Sequence, residues 1–544
     1  MALNKSQEDV LSEIFSRGIQ NGGLSLPLGF GKTRTSIEMA KRYKKGLTLV
    51  VLTKTLIAGW IDELKKAFPE LKYEILHRSY LKEKYDTWRP ADDTTVVLTT
   101  IDVLKDAYSE NDLETRLIRY RRPMRFGPEI AEYVLPGLPM LNGPRDGPSY
   151  IYSNKWGCII IDELQKYTEV TTRKCRSIVA VAAHHRWGLS GTMFDEPKVT
   201  RYLGFLLTLH LKGPRELPDM EYFLLTFGGF QQYLVEREDN PSFTVRPTYN
   251  EEIVSHTLRP EETEIFQKMR LVLKKLSDKV KESKQEGDQV GQKRYSAYLL
   301  AMITYVRECL ICPLIPITSI YCDMADFQAK SDLSQIAINQ FRELDLERYL
   351  SDERSIFSSR FEAALEKIEK HANERCIVFS CFRSAVDLFT PYVDGVGRQT
   401  FTISAGMSIE RRREVLHEFE ASLNGVLLLP YDIGAEGLNL QCATVVLLLD
   451  LWWNSSKIEQ AIGRIYRPGQ KAKNVFVYLF VSNTGMEEAL VEKNTVKAQI
   501  LGELKKGSMQ KDGVSVKGMR VDDIIRMIDL ESNTDNMKKM RLKK

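Results

Sequence analysis

The chain has 544 residues, enough for two or three domains, and its 43% hydrophobic and 28% charged residues exclude a disordered or fibrous polypeptide. Its 77 Lys and Arg face 73 Asp and Glu, a net charge of only +4, so any nucleic-acid surface must come from local clusters rather than from overall charge. Apolar runs such as Val445–Leu449 are far too short for a membrane span, and Asn4, Gln7, Glu8 and Asp9 stand where a secretory signal would be apolar, so no membrane partner is expected.

From the N-terminus, an apolar run predicts a strand over Leu24–Leu28, and Gly29–Phe30–Gly31–Lys32–Thr33 lies between it and a helical pattern. A phosphate-binding loop needs that context. Glycines let backbone N–H groups turn onto phosphate oxygens, and the helix start adds the positive end of its dipole. Lys32 then reaches the β and γ phosphates of ATP, and the Thr33 hydroxyl suits Mg2+. The full loop pattern asks for glycine at position 26, where this chain has Leu26. Strands follow over Leu47–Leu52 and Thr95–Thr99. Between them Leu56, Ile57, Trp60, Ile61, Leu64 and Phe68 share one face of a predicted helix, Leu56–Phe68. An insertion of about 105–155 is rich in Pro, Gly, Tyr and Arg, including Tyr120, Arg121, Arg122, Arg125 and Phe126. Two readings of it stay open, a nucleic-acid-facing loop and a long surface excursion. The strand Trp156–Ile161 then ends in Asp162 and Glu163. Two acids at the tip of a buried strand are costly unless a cation or hydrogen bonds await them. Asp162 would hold Mg2+ and Glu163 would orient and deprotonate an attacking water. A further strand is predicted at Arg186–Leu189.

From about Glu251 to Tyr349 the chain is charged and helical in pattern, without clear strands. Lys274, Lys275, Lys279, Lys281 and Lys284 crowd one part of it, and a solvated helical face outweighs a DNA contact there. Cys309 and Cys312 have the spacing of half a zinc site, for which only Cys322 offers a nearby complement, so a buried helical face is the expectation. The eight cysteines as a set read as reduced, mostly buried thiols. Strands return over Cys376–Ser380, Thr400–Ile403, Val426–Leu429, Val445–Leu449 and Val475–Phe480. Both stretches of alternating apolar runs and helical patterns predict parallel α/β sheets covered on both faces. A tail of about 505–544 mixes charges with one short amphipathic segment, Val521–Leu530.

On these motifs the chain resembles helicase superfamily two, and within it the SWI/SNF-type double-stranded-DNA translocases. The resemblance runs from about Leu3 to Ile500. Leu3 and Gln7 resemble the adenine-reading glutamine motif, and Asp162–Glu163–Leu164–Gln165 takes the place of the Asp–Glu–x–His box. Leu189–Ser190–Gly191–Thr192 resembles the motif that couples hydrolysis to lobe movement. In the second half Gly434–Leu440 resembles the glycine-rich fifth motif, Trp453–Asn454 the Trp–Asn pair, and Gln460–Gln470 the sixth motif. There a helix is expected to present Arg464 and Arg467 on one face toward phosphates held by the other lobe, where guanidinium groups stabilise the transferring phosphoryl group. Arg307–Glu308–Cys309 and Cys312–Pro313 resemble a family segment usually ending His–Pro. Gln165, Leu26–Pro27 and Thr192–Met193 depart from the family's pattern.

The resemblance implies two tandem RecA-like parallel-sheet lobes, about 1–250 and 350–504, with a helical region of about 251–349 between them. It implies ATP and Mg2+ as ligands and duplex DNA as partner, in a monomer acting at DNA inside a nucleus, a virus factory or a bacterium. The expected catalytic residues are Lys32, Asp162, Glu163, Gln165, Arg464 and Arg467. Nucleotide binding falls to Gln7, Gly29, Phe30, Gly31, Lys32, Thr33, Gly437 and Gln460, with Thr33 and Asp162 on the metal. DNA backbone contacts are expected at Lys54, Thr55, Thr99, Thr100, Ser404, Gly406, Asn439 and Trp453. Rival readings are a viral-type ATPase acting with RNA polymerase in transcription release, an unwinding helicase, and a non-enzymatic DNA-binding scaffold.

Overall fold

The computed structural model describes residues 3–237 and 247–494, apart from 28, 82–86, 109–114, 122–129, 137–148, 171, 196–198, 212–229, 326–342, 345, 347–348, 350–357, 405, 435–437, 439, 453–454, 468 and 493. They fall into two compact units, one built on Met1–Val245 with Arg467–Gly469, the other on Arg246–Tyr466 and Gln470–Thr495.

The first unit opens with helix α1 (Lys5–Ser16), started by a reciprocal cap between Asn4 and Gln7 and turned inward along Val10, Leu11 and Ile14. Strand β1 (Asn21–Ser25) leads to helix α2 (Lys32–Tyr43), and β2 (Thr48–Leu52) leads to a 3-10 turn, Lys54–Leu56, that runs directly into helix α3 (Ile57–Ala67). Then come β3 (Tyr73–Leu76), β4 (Val96–Thr100), β5 (Thr115–Arg121), β6 (Ile130–Pro136), β7 (Trp156–Asp162), β8 (Ala183–Ser190) and β9 (Leu234–Glu236). Seven of these strands form one sheet in the order β3-β4-β2-β7-β8-β1-β9, parallel throughout. Alternate residues feed the two faces. Leu49, Val51, Ile159 and Ile161 enter one apolar cluster, whereas Val50, Leu52, Cys158 and Ile160 enter the other with α1, α2 and α3. β5 and β6 pair antiparallel within the insertion, which is therefore more than loop.

The predicted strand Leu24–Leu28 is displaced to Asn21–Ser25. Pro27 has no N–H for a ladder, and the chain leaves the sheet before it. Arg186, fully buried on β8, donates to the carbonyls of Thr208, Val181 and Ile178, a charge inside the protein used as a brace between helices.

The second unit begins with β10 (Thr248–His256), followed by helices Pro260–Gln285 and Gln289–Ile311. Asp288 caps the second helix by accepting from Val290 and Gly291. β11 (Cys376–Ser380), β12 (Thr400–Thr402), β13 (Val426–Pro430), β14 (Val445–Leu448) and β15 (Asn474–Ser482) complete a six-stranded parallel sheet, order β10-β15-β14-β11-β13-β12. Val378, Leu428 and Leu447 face one cluster and Ile377, Leu427 and Leu448 the other. The chain thus carries two RecA-like α/β sheets, parallel throughout.

Two expectations for the middle region change. β10 lies partly inside the stretch expected to lack strands, and the helices after it share one apolar core with the second sheet through Met302, Val306, Leu310, Val378 and Leu447. Cys309 and Cys312 belong to that core, where burial pushes the Cys312 thiol up to about 12. Lys274, Lys275, Lys279, Lys281 and Lys284 are exposed, with Lys281 paired to Asp278 and Lys279 over the Tyr295 ring.

Candidate active site

Chain direction in a parallel sheet puts every strand-to-helix loop of the first unit at the same edge, where ligands of open α/β sheets bind. The loop after β1 enters α2 through Gly29 and Gly31, both left-handed at φ +77° and +92°. Glycine is required at 31 for a second reason. A Cβ there would lie 2.2 Å from Gln7 Nε2. Gly31 offers α2 no side-chain cap, so the first N–H groups and the positive dipole end of a 12-residue helix face the loop. Lys32 folds back over it, donating from Nζ to the Leu26 carbonyl at 3.0 Å, and Thr33 sits half-buried in the first turn. Gln7 supports the loop from below. It donates from Nε2 to the Phe30 carbonyl at 3.0 Å, while its Oε1 accepts from the Asn4 amide.

β7 delivers Asp162 and Glu163 to the same edge. Asp162 is 7% exposed, and each of its oxygens has a donor: Glu163 N to Oδ1 and the indole Nε1 of Trp60 to Oδ2, both at 3.0 Å. Burial, then the neighbouring Glu163 carboxylate, holds Asp162 above the usual carboxylate range, while the Trp60 bond and the Lys32 charge pull it back. The site is short of positive charge, and a divalent cation would supply it. Asp162 and the Thr33 hydroxyl are hard oxygen donors of the kind Mg2+ takes. Glu163 has φ +52°, a left-handed conformation that costs a non-glycine residue about 1–2 kcal/mol. Its Oε2 is held by Gln165 Nε2 at 2.5 Å. Gln165 is buried, and its main-chain carbonyl accepts from Arg201. The Ser190–Gly191–Thr192 segment closes the group. Thr192 N donates to Ser190 Oγ, and a Cβ on Gly191 would lie 3.9 Å from Lys32 Nζ.

In the second unit Gln460 is buried at the end of helix Ser455–Ile462. Arg464 and Arg467 were expected on that helix but lie in the turns after it. Arg464 N and Ile465 N bond to carbonyls three residues back, Ala461 and Ile462. Pro468 disfavours the helical conformation for Arg467 before it and brings no N–H of its own. Gln470 fixes the turn by donating to the Ala443 and Ile465 carbonyls. Arg464 is buried, and desolvation lowers the pKa of half-buried Arg467.

The expected DNA contacts divide. Lys54 is exposed and Thr55 half-buried in the turn after β2; Ser404 and Gly406 are accessible in the loop after β12. Thr99 is fully buried and spends its hydroxyl on the Leu76 carbonyl, tying the ends of β3 and β4, and Thr100 is 2% exposed. Thr99 is thus committed to the sheet, whereas the buried Thr100 hydroxyl has no hydrogen-bond partner among the described residues. Gly437, Asn439 and Trp453 lie outside the described residues. Trp60 was expected only as a core residue of its helix. Its position on the inward face carried no sign that the indole N–H meets Asp162.

Residues 14–220 match the SNF2-related domain and residues 359–469 the helicase conserved C-terminal domain. The chain is 24% identical to "Putative helicase 172L" of Invertebrate iridescent virus 6, over 87% of this chain and 83% of that protein. It is 29% identical to "DNA repair protein RAD5" of Candida glabrata over 40% of this chain and 22% of that protein. Among solved structures, the Sulfolobus solfataricus SWI2/SNF2 ATPase core in complex with dsDNA aligns over 98% of each chain at 16% identity, with a TM-score of 0.35. The described part of the chain has no helix long and apolar enough to cross a membrane.

Proposed function

Because the chain belongs to the SNF2-type branch of helicase superfamily two, we propose that it hydrolyses ATP when bound to duplex DNA and uses the cycle to move along the duplex. The observation that carries this reading is the gathering of Lys32, Asp162 and Glu163 at one sheet edge, beside an uncapped helix start. Backbone strain at Glu163 adds weight. Such strain persists where neighbours over-determine it, and here Gln165 and Asp162 do so. A scaffold that only gripped DNA would need none of this.

In the proposed reaction Lys32 and the loop N–H groups offset charge on the β and γ phosphates. Glu163, steadied by Gln165, accepts the proton of the attacking water as the water oxygen bonds to the γ phosphorus and the bond from that phosphorus to the β–γ bridging oxygen breaks, ADP leaving with the electron pair. Arg464 and Arg467 stabilise the transferring phosphoryl group, with Gln460 and Gly437 assigned to the nucleotide and Gln7 to support of the loop. Thr33 and Asp162 would hold Mg2+, which when bound neutralises phosphate oxygens. Lys54, Thr55, Ser404, Gly406, Asn439 and Trp453 are assigned to the DNA backbone, which makes binding indifferent to sequence and sensitive to salt.

Phosphate release measured in parallel with duplex DNA, single-stranded DNA and RNA tests the reading. Duplex should stimulate turnover most, and Lys32→Ala should abolish it. Stimulation by RNA alone would move the chain to an RNA-directed activity, and an absence of turnover with every nucleic acid would leave only the scaffold.

A further inference from the structure

Helix α3 touches both halves of the nucleotide site. Trp60, one turn into it and 2% exposed, donates its indole N–H to Asp162 Oδ2 across 102 residues of sequence. One turn further on, Glu63 pairs at 2.7 Å with Arg34, two residues beyond Lys32 on α2. At its other end α3 grows without a break from the Lys54–Leu56 turn, the segment assigned to the DNA backbone. Ile57, Trp60 and Leu64 pack in the same apolar cluster as Phe30 of the phosphate loop and Ile160 of β7. Helix and turn are continuous, so a displacement of the turn carried into the helix would shift the indole against the carboxylate.

We propose that Trp60 is a positioning residue that aims the Asp162 carboxylate at the metal ion and ties it to the Lys54–Leu56 turn, so that engagement of duplex at the turn reaches the metal ligand. This rests on the ATPase reading above. The indole fixes Oδ2 and the Glu163 amide fixes Oδ1, leaving one orientation of the carboxylate. Removing a group that orients a metal ligand from behind typically costs about 10–100-fold in metal affinity or activity.

The test is the Mg2+ concentration that half-saturates binding of a fluorescent ATP analogue, with and without a short duplex. Trp60→Phe keeps an aromatic six-membered ring and removes the N–H. It should raise that concentration about tenfold without duplex, while leaving analogue binding in EDTA unchanged. A purely packing role would shift the EDTA affinity and the melting temperature instead. In the unsubstituted protein duplex should lower the half-saturating Mg2+ about fivefold, a shift that Trp60→Phe removes. An unchanged Mg2+ requirement in Trp60→Phe, or a duplex shift of equal size in both proteins, overturns the proposal. So does a duplex that binds the unsubstituted protein and leaves its Mg2+ requirement alone, an arm that needs no variant to fold. Failure of the motor reading itself is separately visible, as a duplex that neither binds nor stimulates turnover.

Discussion

Gly31→Ala probes how the phosphate loop is held. The added Cβ meets two penalties. At φ +92° an L residue costs about 1–2 kcal/mol, and the methyl would stand 2.2 Å from Gln7 Nε2. The amide must then leave its place under the loop, losing the buried bond to the Phe30 carbonyl, worth about 1 kcal/mol. Together these predict a loss of about 2–3 kcal/mol, divided between fold stability and nucleotide affinity. The assay is a double-mutant cycle with Gln7→Ala, read by urea unfolding and by binding of a fluorescent ATP analogue. Gln7→Ala removes the hydrogen bond by itself and, in the double variant, also removes the group the methyl would strike. The double variant should therefore lose less than the sum of the singles by about 1 kcal/mol or more. Additivity within about 0.5 kcal/mol would show that Gln7 and Gly31 do not share the contact, and the account of the loop's support would fall.

Arg467→Ala should bind the ATP analogue nearly as tightly as the parent while duplex-stimulated phosphate release falls roughly a thousandfold; normal turnover would remove its assigned role. Glu308 gives a pH-dependent prediction: burial pushes its carboxyl up to about 7, with Asp450 raising it and Arg307 opposing, and among the described atoms its buried Oε2 has no hydrogen-bond partner. A raised carboxyl favours the fold below its ordinary value and loses that contribution as pH climbs through about 7. Glu308→Gln should therefore gain about 1–2 kcal/mol on the parent between pH 5 and pH 8, after allowance for partial exposure, read from urea midpoints at the two pH values; a pH-independent difference would contradict it.

What could be foreseen from the sequence follows from burial. β2, β7, β11, β13 and β14 lie inside their sheets, are covered on both faces, and so appear as unbroken apolar runs. Three of the strands that escaped notice, β3, β9 and β10, lie at sheet edges, where one side of the strand is unpaired; β10 even carries Glu251 and Glu252. Local chemistry made the phosphate loop and the Asp162–Glu163 pair visible, because glycines, a lysine and two acids act within a few residues of one another. What stayed hidden depends on residues far apart in the chain. Nothing near Trp60 announces Asp162, and the burial of Thr99 depends on the end of β3, an unforeseen strand. The arginines of the sixth motif were misplaced for a local reason, since Pro468 acts backward on a segment whose own pattern is helical.

The central claim, that nucleotide turnover moves this chain along duplex DNA, is tested most directly by displacement of a third strand from a DNA triplex. The account predicts release that requires ATP and Mg2+ and disappears in Glu163→Gln. Steady duplex-stimulated hydrolysis with the third strand left in place would contradict it.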